Sequence, residues 1–246
     1  SKLFEENKPI FNIPDVQKIL DKKYNETTDL LSELVKRKVI NRLKSGKFLI
    51  IPQEIGSIDK YIGNWFVAAK EIANSPEYYI GYYSAMHYWG MLTQPLFKIY
   101  IATPKRQTIP DNMKDLIILI FTKEKFIWGI KKEWATQSQK VRISDLEKTI
   151  LDSLAYPQHC GGITEIAKGI WITKDKIDYD KLKEYVNRLG KNVLNTNAIE
   201  VKSITANKDY LIVALKSIKS KFSIYFYFYL GIGNPILSKI RSAYTE

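Results

Sequence analysis

Cysteine and histidine are scarce in this sequence, and their scarcity excludes several kinds of site. Among 246 residues there are one cysteine, Cys160, and two histidines, which excludes an internal disulfide framework and a multi-cysteine zinc site. His87 lies in an aromatic helical stretch. His159 is adjacent to Cys160, so their side chains diverge rather than form a catalytic pair. We therefore expect no catalytic residue, no bound metal and no cofactor.

Long apolar segments are also absent. The most apolar run, FSIYFYFYLGIG at residues 222–233, is well short of the roughly 20 residues that a spanning helix needs. The N-terminal segment SKLFEENKPIF has no long apolar core, so we expect no signal peptide. These features predict a soluble protein without a membrane partner. The cytoplasm, a reducing compartment, is the expected location.

Positive charge is in excess. Lysine and arginine total 38 against 26 acidic residues, which gives a formal net charge of +12. Such a balance indicates a negatively charged partner, namely nucleic acid, an anionic membrane surface or an acidic protein. A lysine-rich surface without a binding role is the simpler explanation. The hydrophobic content of 45% is typical of a packed globular chain.

The first 54 residues have the pattern of three helices followed by a β-hairpin. Pro14 suits the first turn of the second helix. Two short strands, at residues 39–40 and 48–50, flank the turn LKSGK, in which Gly46 is free to adopt a positive φ. This order predicts a winged helix-turn-helix over residues 1–54. The apolar residues of the predicted first helix are Leu3, Phe4, Ile10, Phe11 and Ile13. Before the third helix, the side chains that could cap it are Asn25, Thr27 and Thr28, and its buried stripe is Leu30, Leu31, Leu34 and Val35.

Residues 55–246 alternate helical and strand patterns, which places the chain in the α+β class. Helices are predicted at residues 61–73, 82–91 and 180–189, and strands at 99–102, 210–215 and 222–230. Two apolar runs, at residues 116–121 and 126–130, flank the polar turn TKEK and predict a hairpin. Ser144 and Glu147 have the spacing of a capping box at a helix start.

The candidate nucleic-acid site combines the hairpin turn with the third helix. Duplex binding needs cations at phosphate spacing and a helix whose side chains reach base edges. Because Glu26, Asp29 and Glu33 lie on the outward face of the helix, we expect more affinity from the wing and the helix C-terminus. The predicted DNA-binding residues are Thr27, Thr28, Lys36, Arg37, Lys38, Arg42, Lys44 and Lys47.

Two further patterns leave alternatives open. In the strand at residues 222–230, tyrosines alternate with phenylalanines, so one face suits either a partner surface or burial beneath a helix. Gly161 and Gly162 precede a helix. They suit a phosphate at the helix N-terminus, but two glycines alone favour a tight turn without a ligand.

Three stretches resemble a known family. They are LLSELVKRKVINRLKSGKFLIIP (30–52), YYIGYYSAMHYWGMLTQPLFKIYIATPKR (78–106) and VRISDLEKTILDSLAYPQHCGGITEIAKGIW (141–171). The first is a generic winged-helix pattern, whereas the other two are specific. On these motifs the chain resembles the AbiE-type antitoxin family, the type IV antitoxins of bacterial and archaeal abortive-infection and toxin–antitoxin loci.

The resemblance implies a winged helix that binds repeats in the protein's own promoter as a transcriptional autorepressor. It also implies that residues 55–246 form an antitoxin domain that counteracts a co-encoded nucleotidyltransferase-like toxin. By the same resemblance, residues 42–47 contact double-stranded DNA, and two half-sites require a homodimer or two adjacent protomers. Six residues match the family's signature helix: Ser144, Asp145, Glu147, Lys148, Thr149 and Asp152. We interpret most of them as capping and surface-pairing residues.

Two alternatives to this non-enzymatic antitoxin follow from the residues. A metal-dependent nucleic-acid-cleaving enzyme would use Asp111, Glu124 and Lys125. A protein-interaction module would instead use the positive charge to bind a partner protein.

Overall fold

The structure, a computed structural model, describes residues 9–56, 61–73, 75–106 and 108–189, together with the backbone of four strands that follow. The chain forms two compact units. The first contains Ser1–Ile80, Phe97–Trp128 and Lys132–Ile143, and the second contains Gly81–Leu96, Gly129–Lys131 and Ser144–Glu246. The combination of helices and sheets confirms the predicted α+β class.

The N-terminal part of the first unit consists of helices and a three-stranded antiparallel sheet. Its elements are β1 (Ile10–Asn12), α1 (Ile13–Leu20), α2 (Tyr24–Lys36), β2 (Ile40–Lys44) and β3 (Lys47–Ile50). β3 lies between β1 and β2. Buried side chains from all five elements, including Phe11, Leu31 and Phe48, form one core. This arrangement is compatible with the predicted winged helix.

The predicted first helix is wrong where the structure describes it, because its second half is strand β1. Phe11 pairs with Phe48 of β3, and the two rings stack with 5.8 Å between centroids. Asn12 then caps α1: its side chain accepts from the Asp15 backbone, and the Asp15 carboxylate accepts from the Asn12 backbone. This reciprocal cap holds Asn12 in an extended conformation, so the helix begins one residue later.

A five-stranded mixed sheet follows, most of it in the first unit. It contains β4 (Tyr79–Ile80), β5 (Ile99–Thr103), β6 (Ile117–Phe121), β7 (Ile130–Trp134) and β8 (Lys140–Ser144), in the order β6-β5-β4-β8-β7. Helix α3 (Trp65–Ala73) packs against β5. Because β5 and β6 are parallel and adjacent, their C-terminal ends lie side by side at the same end of the sheet.

The hairpin predicted at residues 116–130 is wrong. β6 and β7 lie at opposite edges of the sheet, and β6 instead pairs with β5, with Ile99 opposite Ile117. The polar segment between them forms a 3₁₀ turn, Glu124–Phe126, rather than a tight two-strand turn. An apolar run with a polar turn specifies a strand and its end, but not the strand with which it pairs.

The described part of the second unit contains four α-helices and a four-stranded sheet. Its helices are α4 (Tyr82–Tyr88), α5 (Leu146–Ala155), α6 (Ile163–Thr173) and α7 (Tyr179–Leu189), and α5 contacts each of the other three. Strands β9 (Ile199–Ala206), β10 (Tyr210–Ser217), β11 (Ser223–Tyr229) and β12 (Lys239–Ala243) pair antiparallel in sequence order. Gly161 and Gly162 both have positive φ and form the turn before α6.

Some sequence predictions fall outside the described residues. Leu3 and Phe4 of the predicted first helix are among them, and so are the side chains of the alternating strand. β11 confirms that strand as a backbone element, while the use of its tyrosine face stays a prediction. Among the helices that the structure describes, none combines the length and apolarity needed to cross a bilayer.

Contacts in the first unit cross the predicted domain boundary at residue 54. The Asn41 side-chain amide donates to the Tyr61 carbonyl at 2.6 Å. The Lys47 ammonium group pairs with the Glu71 carboxylate. The division into residues 1–54 and 55–246 stays a prediction.

Candidate nucleic-acid interface

The wing is the turn between β2 and β3. Gly46 adopts a φ of +71°, which L-amino acids rarely adopt, and a side chain there would meet nothing within 4 Å. Glycine is therefore required by the backbone conformation rather than by lack of space. Leu43 is fully buried while Ser45 is exposed, so the hairpin is anchored in the core and its tip faces solvent.

Three predicted DNA-binding cations lie on the wing, in different electrostatic settings. Arg42 is exposed, and its guanidinium carbon lies 5.7 Å from the centroid of the Phe48 ring. Lys47 is about three-quarters buried and pairs with Glu71, so its charge is already largely compensated. Burial lowers the pKa of Lys44, and the Lys47 ammonium lowers it further, while Glu71 acts in the opposite direction. Arg42 and Lys44 are therefore the wing residues best placed to meet an added anion.

The C-terminal end of α2 supplies the other predicted cations. Lys36, Arg37 and Lys38 are all exposed. Arg37 pairs with Glu33 at 2.5 Å across one helical turn, which offsets part of its charge. We call Lys36, Lys38, Arg42 and Lys44 the wing cluster. Its residues come from the end of α2 and from the adjoining hairpin, so they belong to consecutive elements of one small fold.

Thr27 is a correction to the predicted site. It is fully buried, and its hydroxyl donates to the Lys23 carbonyl at 2.9 Å, so it presents no surface to a duplex. The helix begins at Tyr24, three residues before Thr27, which therefore lies inside α2 rather than capping it. Thr28 is half-buried, and its hydroxyl donates to the Asn25 carbonyl at 2.8 Å. Glu26, Asp29 and Glu33 are exposed, as expected.

The residues of the alternative nuclease are not brought together. Asp111 precedes β6 and pairs with Lys114 at 2.5 Å, whereas Glu124 follows β6. The five residues of that strand, about 16 Å at about 3.3 Å per residue, lie between the two carboxylates. In the part of the chain that the structure describes, no group of three or more histidine, cysteine or acidic residues could hold a metal ion.

Cys160 and His159 have the features of packed residues. Burial raises the pKa of the Cys160 thiol to about 12, so it is not a thiolate nucleophile at neutral pH. The His159 ring packs edge-on against Tyr82 at 5.7 Å, and burial lowers its pKa.

The signature helix α5 carries a buried charge cluster, contrary to the surface pairing expected from the sequence. Asp145, Glu147, Lys148 and Asp152 are each at most 6% exposed. The N-cap residue is Asp145 rather than Ser144: its carboxylate accepts from the Lys148 backbone at 2.9 Å. The Glu147 carboxylate accepts from the Asp178 backbone at 3.0 Å.

Helix α7 completes this cluster. Lys181 pairs with Asp145 at 2.8 Å and with Glu147 at 3.0 Å, and the Tyr185 hydroxyl donates to Asp145 at 2.9 Å. Burial alone would lower the pKa of Lys181, but its hydrogen bonds to both carboxylates outweigh burial and raise it. We call Asp145, Glu147, Lys148, Asp152 and Lys181 the α5 charge cluster. The bonds from the partly exposed Lys181 to the buried Asp145 and Glu147 hold α7 against α5.

Comparison with known proteins adds information on fold. The chain resembles the crystal structure of the RV2827C protein from Mycobacterium tuberculosis with a TM-score of 0.55 and 13% sequence identity, covering 76% of this chain and 69% of that chain. At this identity the likeness concerns the fold alone. No protein-family model and no curated protein sequence matches the chain.

Proposed function

We propose that this protein is a DNA-binding antitoxin of the type IV class that represses its own promoter. The observation that supports this proposal best is the wing cluster, which joins a solvent-facing hairpin tip to the end of a helix. Cations on a hairpin of this kind suit the phosphates on one side of a duplex groove. The motifs shared with AbiE-type antitoxins at residues 78–106 and 141–171 support the antitoxin part of the proposal.

In this proposal the wing lies along the phosphate backbone while α2 enters the major groove. The exposed carboxylates Glu26, Asp29 and Glu33 oppose a close approach of the helix to phosphates, so most of the affinity comes from the wing cluster. Two half-sites are read by two protomers. The protein acts in the cytoplasm, where the operator and the toxin are found.

The α5 charge cluster limits where a toxin would be counteracted. Its α5 residues are buried, and two of them bond to the partly exposed Lys181 of α7, so the signature helix stabilises the second unit and does not itself present charges to a nucleotidyltransferase. Neutralisation therefore depends on other exposed residues or on the regulation of toxin expression.

A gel-shift titration with DNA from upstream of the protein's own gene tests repression. The wild type is expected to shift the duplex and leave it intact when Mg²⁺ is added, and to silence a reporter placed behind the same DNA. Arg42→Ala combined with Lys44→Ala should weaken both effects, while Lys183→Ala, which removes an exposed lysine of α7, should change neither. Cleavage of the duplex would favour the nuclease, and the absence of any shift would favour the protein-interaction module.

A growth assay tests the antitoxin part separately. Co-expression with a nucleotidyltransferase encoded beside the gene should restore growth that the nucleotidyltransferase alone prevents. Failure to restore growth, despite intact operator binding, would leave a repressor without antitoxin activity.

A further inference from the structure

A second group of cations lies in the first unit, where β5 and β6 end side by side. The Thr122 backbone donates to the Thr103 carbonyl at 3.0 Å, which holds the two strand ends together. Thr103 is buried, and its hydroxyl accepts from the Lys105 backbone at 3.2 Å. These bonds place the end of the ATPKR segment, residues 102–106, beside the start of the TKEK segment, residues 122–125.

Aromatic rings and cations lie close together where β5 and β6 end. Phe121, the last residue of β6, is 54% exposed, and the Arg106 guanidinium lies 5.3 Å from its ring centroid. The Lys125 ammonium lies 5.0 Å from the centroid of the half-buried Phe126 ring. Lys105 and Lys123 are exposed beside them. We call Lys105, Arg106, Phe121, Lys123, Lys125 and Phe126 the strand-end patch.

The two segments that form the strand-end patch carry few acidic residues. Residues 104–106 and 122–126 contain four cations and one carboxylate, Glu124, which lies between Lys123 and Lys125 in the sequence. Within the ranges that the structure describes, none of the four forms an ion pair. Asp111, at the start of β6, pairs with Lys114 and so compensates a different lysine. The patch therefore combines a local excess of positive charge with an exposed ring, and the packing of the sheet requires neither.

We infer that the strand-end patch binds single-stranded nucleic acid. Cations along a strand neutralise successive phosphates, and an exposed aromatic ring offers a face on which an unpaired base can stack. In a duplex the bases already stack on each other, so an exposed phenylalanine adds little there. An acidic peptide would use the four cations but has no comparable need for the ring, so Phe121 favours nucleic acid.

This inference goes beyond the proposed function. The wing cluster and the strand-end patch come from different segments of the first unit, share no residue, and suit different ligands, a duplex and a single strand. Each can therefore fail without the other.

Fluorescence anisotropy with the full chain tests the inference. Labelled 12-nucleotide probes of deoxythymidine and of uridine distinguish DNA from RNA, and a 12-base-pair duplex serves as the comparison. Phe121→Ala is expected to weaken single-strand binding at least about fivefold, because a stacked base is lost, and to leave duplex binding unchanged. Lys123→Ala with Lys125→Ala should weaken it further and flatten its salt dependence.

Two matched variants complete the experiment. Phe97→Ala removes a ring that is 68% exposed and lies at the opposite end of β5, and it should bind single strands as the wild type does. Arg42→Ala with Lys44→Ala should weaken duplex binding but leave single-strand binding unchanged. Unchanged Tm values show that each variant is folded.

Three results would overturn the inference. In the first, Phe121→Ala binds single strands as tightly as the wild type does. In the second, the wing variant loses single-strand binding as completely as the patch variants do, which would assign the binding to the wing. In the third, a polyglutamate peptide binds the patch while the oligonucleotides do not.

Discussion

At the residue scale, Lys44 combines a cost to folding with a proposed role in binding. Burial and the nearby Lys47 lower its pKa, so its charged form is disfavoured in the fold relative to the unfolded chain. Between the lowered pKa of the folded state and the unfolded value of 10.5, the unfolded chain binds more protons than the folded chain does. The cost to folding is therefore fully present below this pH range and is lost as the pH rises through it. A bound phosphate would offset the same cost at neutral pH.

Lys44→Met should therefore weaken binding to the upstream duplex without lowering the Tm at pH 7. At pH 7 the variant should have a slightly higher Tm than the wild type, and the difference is small because the site is partly solvated. This difference in Tm should shrink as the pH is raised towards 10.5. Thermal unfolding at several pH values, together with a duplex titration at pH 7, measures both effects. Lys183→Met should change neither. A lower Tm with unchanged affinity would show that Lys44 is structural.

Lys148 tests the α5 charge cluster. Its side chain is 1% exposed and pairs with the buried carboxylate of Asp152. Lys148→Ala removes the cation beside a buried carboxylate and should lower the free energy of unfolding by about 3–5 kcal/mol. Lys148→Met with Asp152→Leu should recover most of that loss, because both charges are then gone.

Lys168→Ala is the matched control in urea unfolding. Its side chain is 65% exposed and pairs with Glu165 at 3.3 Å, so the expected loss is below about 1 kcal/mol. Equal losses at Lys148 and Lys168 would contradict a buried, structural role for the cluster.

At the wing, the turn around Gly46 predicts exposed cations. Arg42 is exposed, whereas Lys47 is largely buried against Glu71. The partners of Asp145 could not be predicted in this way, because Lys181 and Tyr185 lie more than thirty positions along the chain and no local pattern links them. Thr27 was misplaced because a threonine before a helix and a threonine in its first turn have similar neighbours in sequence.

At the element scale, the packing of α6 depends on a glycine. A Cβ at Gly169 would lie 2.8 Å from the Met91 Cβ and 2.9 Å from the Met91 carbonyl oxygen. Real Cβ atoms do not approach backbone so closely, so α6 and the Met91 segment are in direct contact at this point. A side chain here would separate them.

Gly169→Ala should lower the free energy of unfolding by a net amount of about 1–2 kcal/mol, although alanine favours helices over glycine by about 1 kcal/mol. The steric conflict outweighs the propensity gain because Met91 contributes backbone as well as side chain. Chemical denaturation measures the difference. Thr164→Ala, at an exposed position of the same helix, should be neutral or slightly stabilising, and a stabilised Gly169→Ala would contradict the close contact.

Elements were predicted better than their partners. Helices α3, α5 and α7 and strands β5 and β11 lie where periodicity indicated them. The pairing of β6 with β5 was not predictable, because the twelve or more residues of a parallel connection contain no signal for the partner strand. The start of α1, by contrast, can be predicted from the sequence. The Asn-x-x-Asp spacing of Asn12 and Asp15 is typical of a helix N-cap.

At the scale of the whole molecule, both units contain segments that are distant in the chain. The first unit uses three separate segments and so does the second, so neither unit is one continuous stretch of sequence. Composition predicted the excess of positive charge. It did not predict that the first unit would carry this excess at two places, the wing cluster and the strand-end patch.

The salt dependence of duplex binding tests most directly whether the wing lies against a DNA backbone. The affinity of the wild type for its upstream duplex should fall as salt rises, because each neutralised phosphate releases counterions. Arg42→Ala with Lys44→Ala should weaken binding and reduce the slope of log K against log salt by about 2, about 1 for each lost phosphate contact. Lys183→Ala should keep the wild-type slope. A double variant with the wild-type slope, or binding that is indifferent to salt, would contradict the account.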